Sequence, residues 1–311
     1  MGNTVSDETG PAIRHGGNIA HARALFPQAP EPWIDLSTGI NPHSYPHSPL
    51  PANAFSRLPD PALAAQLKES AAICYGAPSA HHVAAAPGTQ ILLPLVAELA
   101  GKAARAKAMI LSPTYAEHAR AARLSGFDVE ETGAFERLAD ADLAIVVNPN
   151  NPDGRTVERQ DLLALAATLK ARRGLLVVDE AFGDVGSGDN SLCGAVGRGA
   201  LVVLRSFGKF YGMAGLRLGF AVSSPEIVAQ LENRLGPWAV SGPALHVAGE
   251  ALNDRIWQLH MRERLKREAQ DLDAVLGRYG LTKAGGTDLF RLVRHEKAGV
   301  IHAHLGAHGI L

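Results

Sequence analysis

The chemistry in this chain gathers around one lysine. Lys209 lies in Ser206-Phe207-Gly208-Lys209-Phe210-Tyr211-Gly212-Met213-Ala214-Gly215-Leu216-Arg217, with a hydroxyl three residues before it and a guanidinium eight after. The intervening glycines let the backbone bend, so Ser206 and Arg217 can hold a phosphate while the amine bonds an aldehyde. A molecule carrying both groups is pyridoxal 5'-phosphate.

Three segments upstream supply what such a cofactor needs. Gly174-Leu175-Leu176-Val177-Val178-Asp179 is an apolar run of strand type that delivers a carboxylate at its C-terminal edge. A buried aspartate there can pair with a protonated pyridine nitrogen and keep the ring able to accept electrons. Asn148-Pro149-Asn150-Asn151-Pro152-Asp153-Gly154 follows a second apolar run, residues 143–147, and offers Asn151 as a donor to the ring's phenolate oxygen. Pro87-Gly88-Thr89-Gln90 stands between a short apolar strand and a helical stretch, so its backbone N–H groups can face an anion at a helix N-terminus. Each motif alone reads as a turn; together, in this order, they specify a site.

The order and spacing resemble the fold-type I pyridoxal-phosphate enzymes, the aspartate aminotransferase superfamily, from about His15 to the last residue. Asn151 and Asp179 are 28 residues apart and Lys209 and Arg217 eight, as in that family. The resemblance implies that Lys209 is the Schiff-base lysine, Asp179 the pyridinium partner and Asn151 the phenolate donor. It further implies that Ser206, Arg217, Gly88, Thr89 and Gln90 line the phosphate cup and that the ring of Tyr115 stacks on the cofactor. Two departures stand out. Phe182 occupies a position where many relatives have a tyrosine, which removes a second phenolate hydrogen bond. Leu58, in Arg57-Leu58-Pro59, replaces a tyrosine that in relatives reaches the neighbouring subunit's cofactor phosphate.

The N-terminal third narrows the group. Arg14-His15-Gly16-Gly17-Asn18, followed by Asp35-Leu36-Ser37-Thr38-Gly39-Ile40-Asn41-Pro42, resembles the threonine-phosphate decarboxylases of cobalamin biosynthesis. These share their frame with histidinol-phosphate aminotransferases, and Phe182 also suits the decarboxylases. The implied reaction is loss of carbon dioxide from L-threonine O-3-phosphate. The alternatives are transamination of the histidinol-phosphate type, or cofactor binding without turnover. In the family, the segment matching Ala307-His308-Gly309-Ile310-Leu311 is followed by arginines that grip the substrate; this sequence stops there, leaving Arg14, His15 and Asn41 as candidates for that task.

Composition agrees. A length of 311 residues predicts about two domains, and 46% hydrophobic residues with 5% aromatics describe an aliphatic, folded core. With 30 basic against 31 acidic side chains the net charge is −1, which gives no reason to expect nucleic acid or an anionic membrane as partner. Cys74 and Cys193 form no Cys-x-x-Cys pair, and the clustered histidines lack acidic or thiol companions at ligand spacing, so neither disulfide nor metal is expected. The polar residues 1–10 predict no secretory leader and no apolar run approaches a membrane span, so a cytoplasmic protein is expected.

These groups must be positioned by an α/β frame. Short apolar strands near residues 83–86, 107–111, 143–147, 174–179, 200–205 and 219–223 alternate with helical stretches, predicting a mostly parallel sheet with helices on both faces. Ligands gather at the C-terminal ends of such strands. Residues 1–60 read as an irregular arm and small-domain segment, 61–225 as the large cofactor-binding domain, and 226–311 as an interdomain helix with a smaller, shortened α+β domain. There, residues 286–292 read as one strand. The resemblance also implies a homodimer.

Overall fold

The computed structural model describes residues 13, 15–100, 106–186, 188–198 and 200–311, the side chain of Arg198 excepted. Two compact units separate among them. The larger, Ile40–Arg294, holds a seven-stranded sheet. Its strands are β1 (Val83–Ala86), β2 (Lys107–Leu111), β3 (Asp128–Thr132), β4 (Leu143–Val147), β5 (Leu175–Asp179), β6 (Leu201–Ser206) and β7 (Gly219–Val222). Their spatial order is β1-β7-β6-β5-β4-β2-β3. All neighbours run parallel except at β7, which is antiparallel to both β1 and β6.

The middle strands are apolar throughout because both faces are covered. Successive side chains of a strand point to opposite faces, and the core divides accordingly. Ala144, Val146, Leu176, Val178, Leu201 and Val203 belong to one buried cluster, with Leu162 and Leu169 of the helix Arg159–Ala171 and Ala248 of Gly242–Asn253. Leu143, Ile145, Leu175, Val177, Val202 and Leu204 belong to the other, with Leu92 and Val96 of Thr89–Ala100, Ala122 of Glu117–Leu124 and Leu231 of Pro225–Leu235. The same alternation fixes the strand ends. Asp179 and Ser206 continue the second face; Glu180 and Arg205 fall on the first.

Local signals set the helix limits. Helix Pro61–Tyr75 starts where Asp60 Oδ1 accepts from Ala62 N at 2.8 Å, with proline at its first position, and stops at Gly76, φ 72°. The long helical region after Pro225 is three helices, Pro225–Leu235, Gly242–Asn253 and Arg255–Arg278, divided at the glycine-proline pairs and at Asp254.

Four differences from the sequence reading have physical causes. β3, Asp-Val-Glu-Glu-Thr, is an edge strand whose charges face solvent and conceal it. The expected single strand at 286–292 is a hairpin, β8 (Lys283–Thr287) and β9 (Phe290–Val293), because Asp288-Leu289 turns the chain and Leu289 N donates to Thr287 Oγ1 at 3.2 Å. The arm contains a helix, Ile19–Leu25, started by Asn18, whose Oδ1 accepts from His21 N at 3.0 Å. The units divide at Gly39–Ile40 rather than near residue 60: Asn41 N donates to Lys209 O at 3.0 Å and Tyr45 N to Tyr211 O at 2.9 Å, which ties this segment to the larger unit.

The smaller unit joins the described residues through Gly39 to His295–Leu311. Within it Ile34 and Ile310 form a parallel bridge, and the helix Ala298–Ala307 brings Gly306 against the Phe26 ring.

Candidate active site

At the C-terminal edge of the larger unit's sheet a cleft of about 210 Å³ opens. Its walls include Gly88, Thr89, Gln90, Tyr115, Asn151, Asp179, Phe182, Ser206, Lys209 and Arg217.

One end is built for an anion. After β1 the chain turns through Gly88, φ +90°, a conformation that L side chains rarely adopt. A Cβ there would stand 2.8 Å from Arg217 Nη2, so the missing side chain is what admits the guanidinium. Helix Thr89–Ala100 then starts, and its first N–H groups have no intrahelical acceptor. Gly219 pairs with Ala86 on one side and Ser206 on the other. Thr89 N lies 2.6 Å from where a Gly219 Cβ would be, so β7 and the phosphate loop touch through bare backbone. Four groups thus converge: two backbone amides, a hydroxyl and a guanidinium.

The same cleft carries a carboxylate. Asp179 is buried; its Oδ1 accepts from Ala181 N at 2.9 Å and its Oδ2 bonds His118 Nε2 at 2.9 Å. His118 was missed in the sequence. It lies 61 residues from Asp179, and its only signal is position, three residues beyond Tyr115. The two rings meet edge to face at 5.9 Å.

Tyr115 is held by another residue of the cleft wall. Its hydroxyl donates to Gln90 Oε1 at 3.1 Å, and Gln90 Nε2 donates to Glu117 Oε2 at 2.8 Å. Both ends of the Gln90 amide are therefore engaged, which leaves its backbone as its contribution to an anion. Burial, with Glu117 and Asp179 nearby, pushes the Tyr115 phenol up. Asn151 is presented by a loop pinned at its neighbours. Asn148 exchanges two hydrogen bonds with Val157, at 3.1 and 3.0 Å. Asn150, fully buried, accepts from Thr114 Oγ1 at 2.6 Å and donates to Pro113 O at 3.0 Å.

Lys209 lines the same cleft, within reach of both the Asp179 and Arg217 charges. Burial lowers its amine below the usual lysine range, Asp179 raises it and Arg217 lowers it further. Phe182 has no hydroxyl; its ring centroid lies 5.6 Å from Lys209 Nζ.

Of the candidate substrate residues, Asn41 belongs to the larger unit. Asn41 is buried, donates from Nδ2 to Phe210 O at 2.7 Å and accepts at Oδ1 from His43 N at 2.8 Å. Those bonds hold the segment that carries Lys209. Arg14 lies outside the described residues. His15 is exposed in the smaller unit, where the two N-terminal motifs meet: Gly17 N donates to Ser37 Oγ at 2.7 Å, and Ser37 Oγ to Asp35 Oδ1 at 2.5 Å.

The larger unit's cleft fits pyridoxal phosphate on its own terms. A glycine cradle that a Cβ would fill, an amine poised toward neutrality and a buried carboxylate are the donor set that molecule requires.

Comparison with known proteins gives the same direction. Residues 31–298 match the family model for class I and II aminotransferases. A threonine-phosphate decarboxylase from Sinorhizobium sp is 44% identical, the match covering 94% of this chain and 87% of that protein. A threonine-phosphate decarboxylase from Pseudomonas aeruginosa is 40% identical, covering 96% and 88%. Among solved structures, histidinol-phosphate aminotransferase from Sinorhizobium meliloti in complex with pyridoxal 5'-phosphate superposes with TM-score 0.72 at 22% identity, covering 84% of this chain and 75% of that one. The chain belongs to the class I and II aminotransferase family.

Proposed function

We propose that this member of the class I and II aminotransferase family decarboxylates L-threonine O-3-phosphate to (R)-1-aminopropan-2-ol O-phosphate in cobalamin biosynthesis. The observation that carries the reading is the cleft itself, where a desolvated lysine amine, a buried carboxylate and a phosphate seat face one volume. Relatives bearing the decarboxylase name at 40% and 44% identity support the choice of substrate.

When bound, pyridoxal phosphate supplies an aldehyde for an amine and a ring that takes up electrons from a bond at the substrate's α-carbon. The protein's residues do the rest. The Thr89 and Gln90 backbone amides, the Ser206 hydroxyl and the Arg217 guanidinium would hold the phosphate, Gly88 N being given to Ala86 O at 2.7 Å. Asp179, oriented by His118 and Ala181 N, keeps a proton on the ring nitrogen. Tyr115 would flank the ring and Asn151 would donate to the phenolate oxygen; Phe182 has no donor, so that oxygen would have one partner fewer. Lys209 would be the amine that takes the aldehyde and would move a proton at Nζ. The carboxylate leaves as carbon dioxide and one proton takes its place at the α-carbon, so the reaction needs no oxidant.

Purified protein loaded with pyridoxal phosphate is expected to release carbon dioxide from threonine phosphate without forming a keto acid. Glutamate formation from histidinol phosphate and 2-oxoglutarate, with no carbon dioxide from threonine phosphate, would establish transamination instead. Lys209→Ala must lose both activity and the cofactor's visible absorbance.

The same reading includes the cytoplasm as its place of work; among the described residues no helix is long and apolar enough to cross a membrane. It also includes a homodimer, the state the family resemblance implies.

A further inference from the structure

We propose that Phe290 is a positioning residue for this site: from the β8–β9 hairpin it holds the Phe182 ring against the Lys209 amine and so keeps that amine out of water. The inference rests on Lys209 being the cofactor lysine.

The hairpin is anchored on both sides of Phe290. On one side Gly286 N donates to Asp153 O at 2.9 Å, beside the Asn151 loop. The approach is so close that a Cβ on Gly285 would lie 2.1 Å from Asp153 O, and one on Gly154 2.1 Å from Gly286 O. On the other side Arg291 reaches the helix Arg255–Arg278, with Nε donating to Asp273 Oδ1 at 2.6 Å and Nη2 to Oδ2 at 3.1 Å. Between these two fixed points the Phe290 ring meets Phe182 edge to face, centroids 4.9 Å apart at 69°. Phe182 is buried, lines the cleft, and its ring centroid is 5.6 Å from Lys209 Nζ.

Phe290 does not itself line the cleft. Without its edge, the inner ring could rotate away and water would reach the amine. Other charges face Lys209 as well: Asp179 at the end of β5 raises its affinity for a proton and Arg217, ahead of β7, lowers it. Tyr115 lines the same cleft. None of these is touched by changing Phe290, which makes its effect separable.

The test titrates the visible absorbance of cofactor-loaded enzyme with pH and times the capture of added pyridoxal phosphate by apoprotein. Phe290→Ala is expected to move the absorbance midpoint up by about half to one unit, because renewed hydration favours the protonated form. Capture at neutral pH should slow several-fold, since less amine is neutral. Phe290→Leu, which keeps most of the apolar bulk, should fall between Phe290→Ala and the parent, and it carries the test if the alanine variant does not fold. In a Phe182→Ala background, Phe290→Ala should add no further shift. A lowered melting temperature with unchanged midpoint and capture rate would reduce Phe290 to a packing residue and overturn the proposal. Lys209→Ala apoprotein capturing the cofactor as fast as the parent would sink the underlying reading instead.

Discussion

Gly219→Ala should cripple cofactor binding from a strand that need never touch the cofactor. Gly219 has no left-handed backbone to lose, so an added methyl acts through contact alone. It would stand 2.6 Å from Thr89 N, 2.8 Å from Thr89 Cγ2 and 2.9 Å from Gly88 C. Ordinary contact starts at 3.4 Å, so β7 and the phosphate loop must separate by about 0.8 Å. Two of the three atoms are backbone, at the start of a helix that cannot bend locally. Overpacking of this kind costs about 1–3 kcal/mol of stability. Misplacing a binding element by about 1 Å can cost on the order of 100-fold in function. The expected result is a pyridoxal phosphate dissociation constant raised about 10- to 100-fold in a folded protein, read by titrating apoprotein and following visible absorbance. Gly126→Ala is the control. Gly126 has φ +84° with nothing within 4 Å, so the variant bears only backbone strain of about 1–2 kcal/mol and should bind cofactor normally. Equal affinities, within about twofold, for both variants would refute the placing of the phosphate at this loop.

Arg205→Leu should destabilise the protein without altering the cleft's chemistry. Arg205 is buried on the opposite face of the sheet, donating to Glu180 Oε2 at 2.7 Å and to Asp184. Removing it strands two buried carboxylates, a loss of about 3–5 kcal/mol that should lower the melting temperature by on the order of 10 °C; a fall of only about 2 °C would show the cluster to be solvated. Acid should loosen the hairpin. The Arg291 hydrogen bond holds the Asp273 carboxyl below its usual 3.8, so that pair stabilises the fold above 3.8 and is lost as pH falls through the depressed value. Asp273→Asn should therefore show a shallower fall in melting temperature between about pH 4 and pH 2 than the parent, and an unchanged slope would assign the acid limb to other groups.

What could be read from the chain followed the reach of local rules. Asp179 is legible because an apolar run ends in a carboxylate, and period two then sends it to the same face as Ser206 while Arg205 goes to the other. Gly88 and Thr89 are legible because a strand, a glycine and a helix start form one short unit. His118 and Glu117 escape because their roles depend on contacts, with Asp179 and Gln90, made across 61 and 27 residues. The partner of Asn41 could not be read, since sequence shows an amide's capacity to bond but not where the bond goes, here to Phe210 O. Phe290 was read within a single strand, and only the turn at Asp288-Leu289 gives it a side-on approach to Phe182.

The reversed strand β7 has a consequence for synthesis. It is the last of the seven to leave the ribosome, yet it inserts between β1 and β6. Until residues 219–222 emerge, the loop at Gly88 and the hydroxyl of Ser206 have no common neighbour, and Arg217 has no fixed address. A nascent chain therefore cannot recruit its vitamin early, and loading must wait until the second strand from the edge has joined β1 to β6.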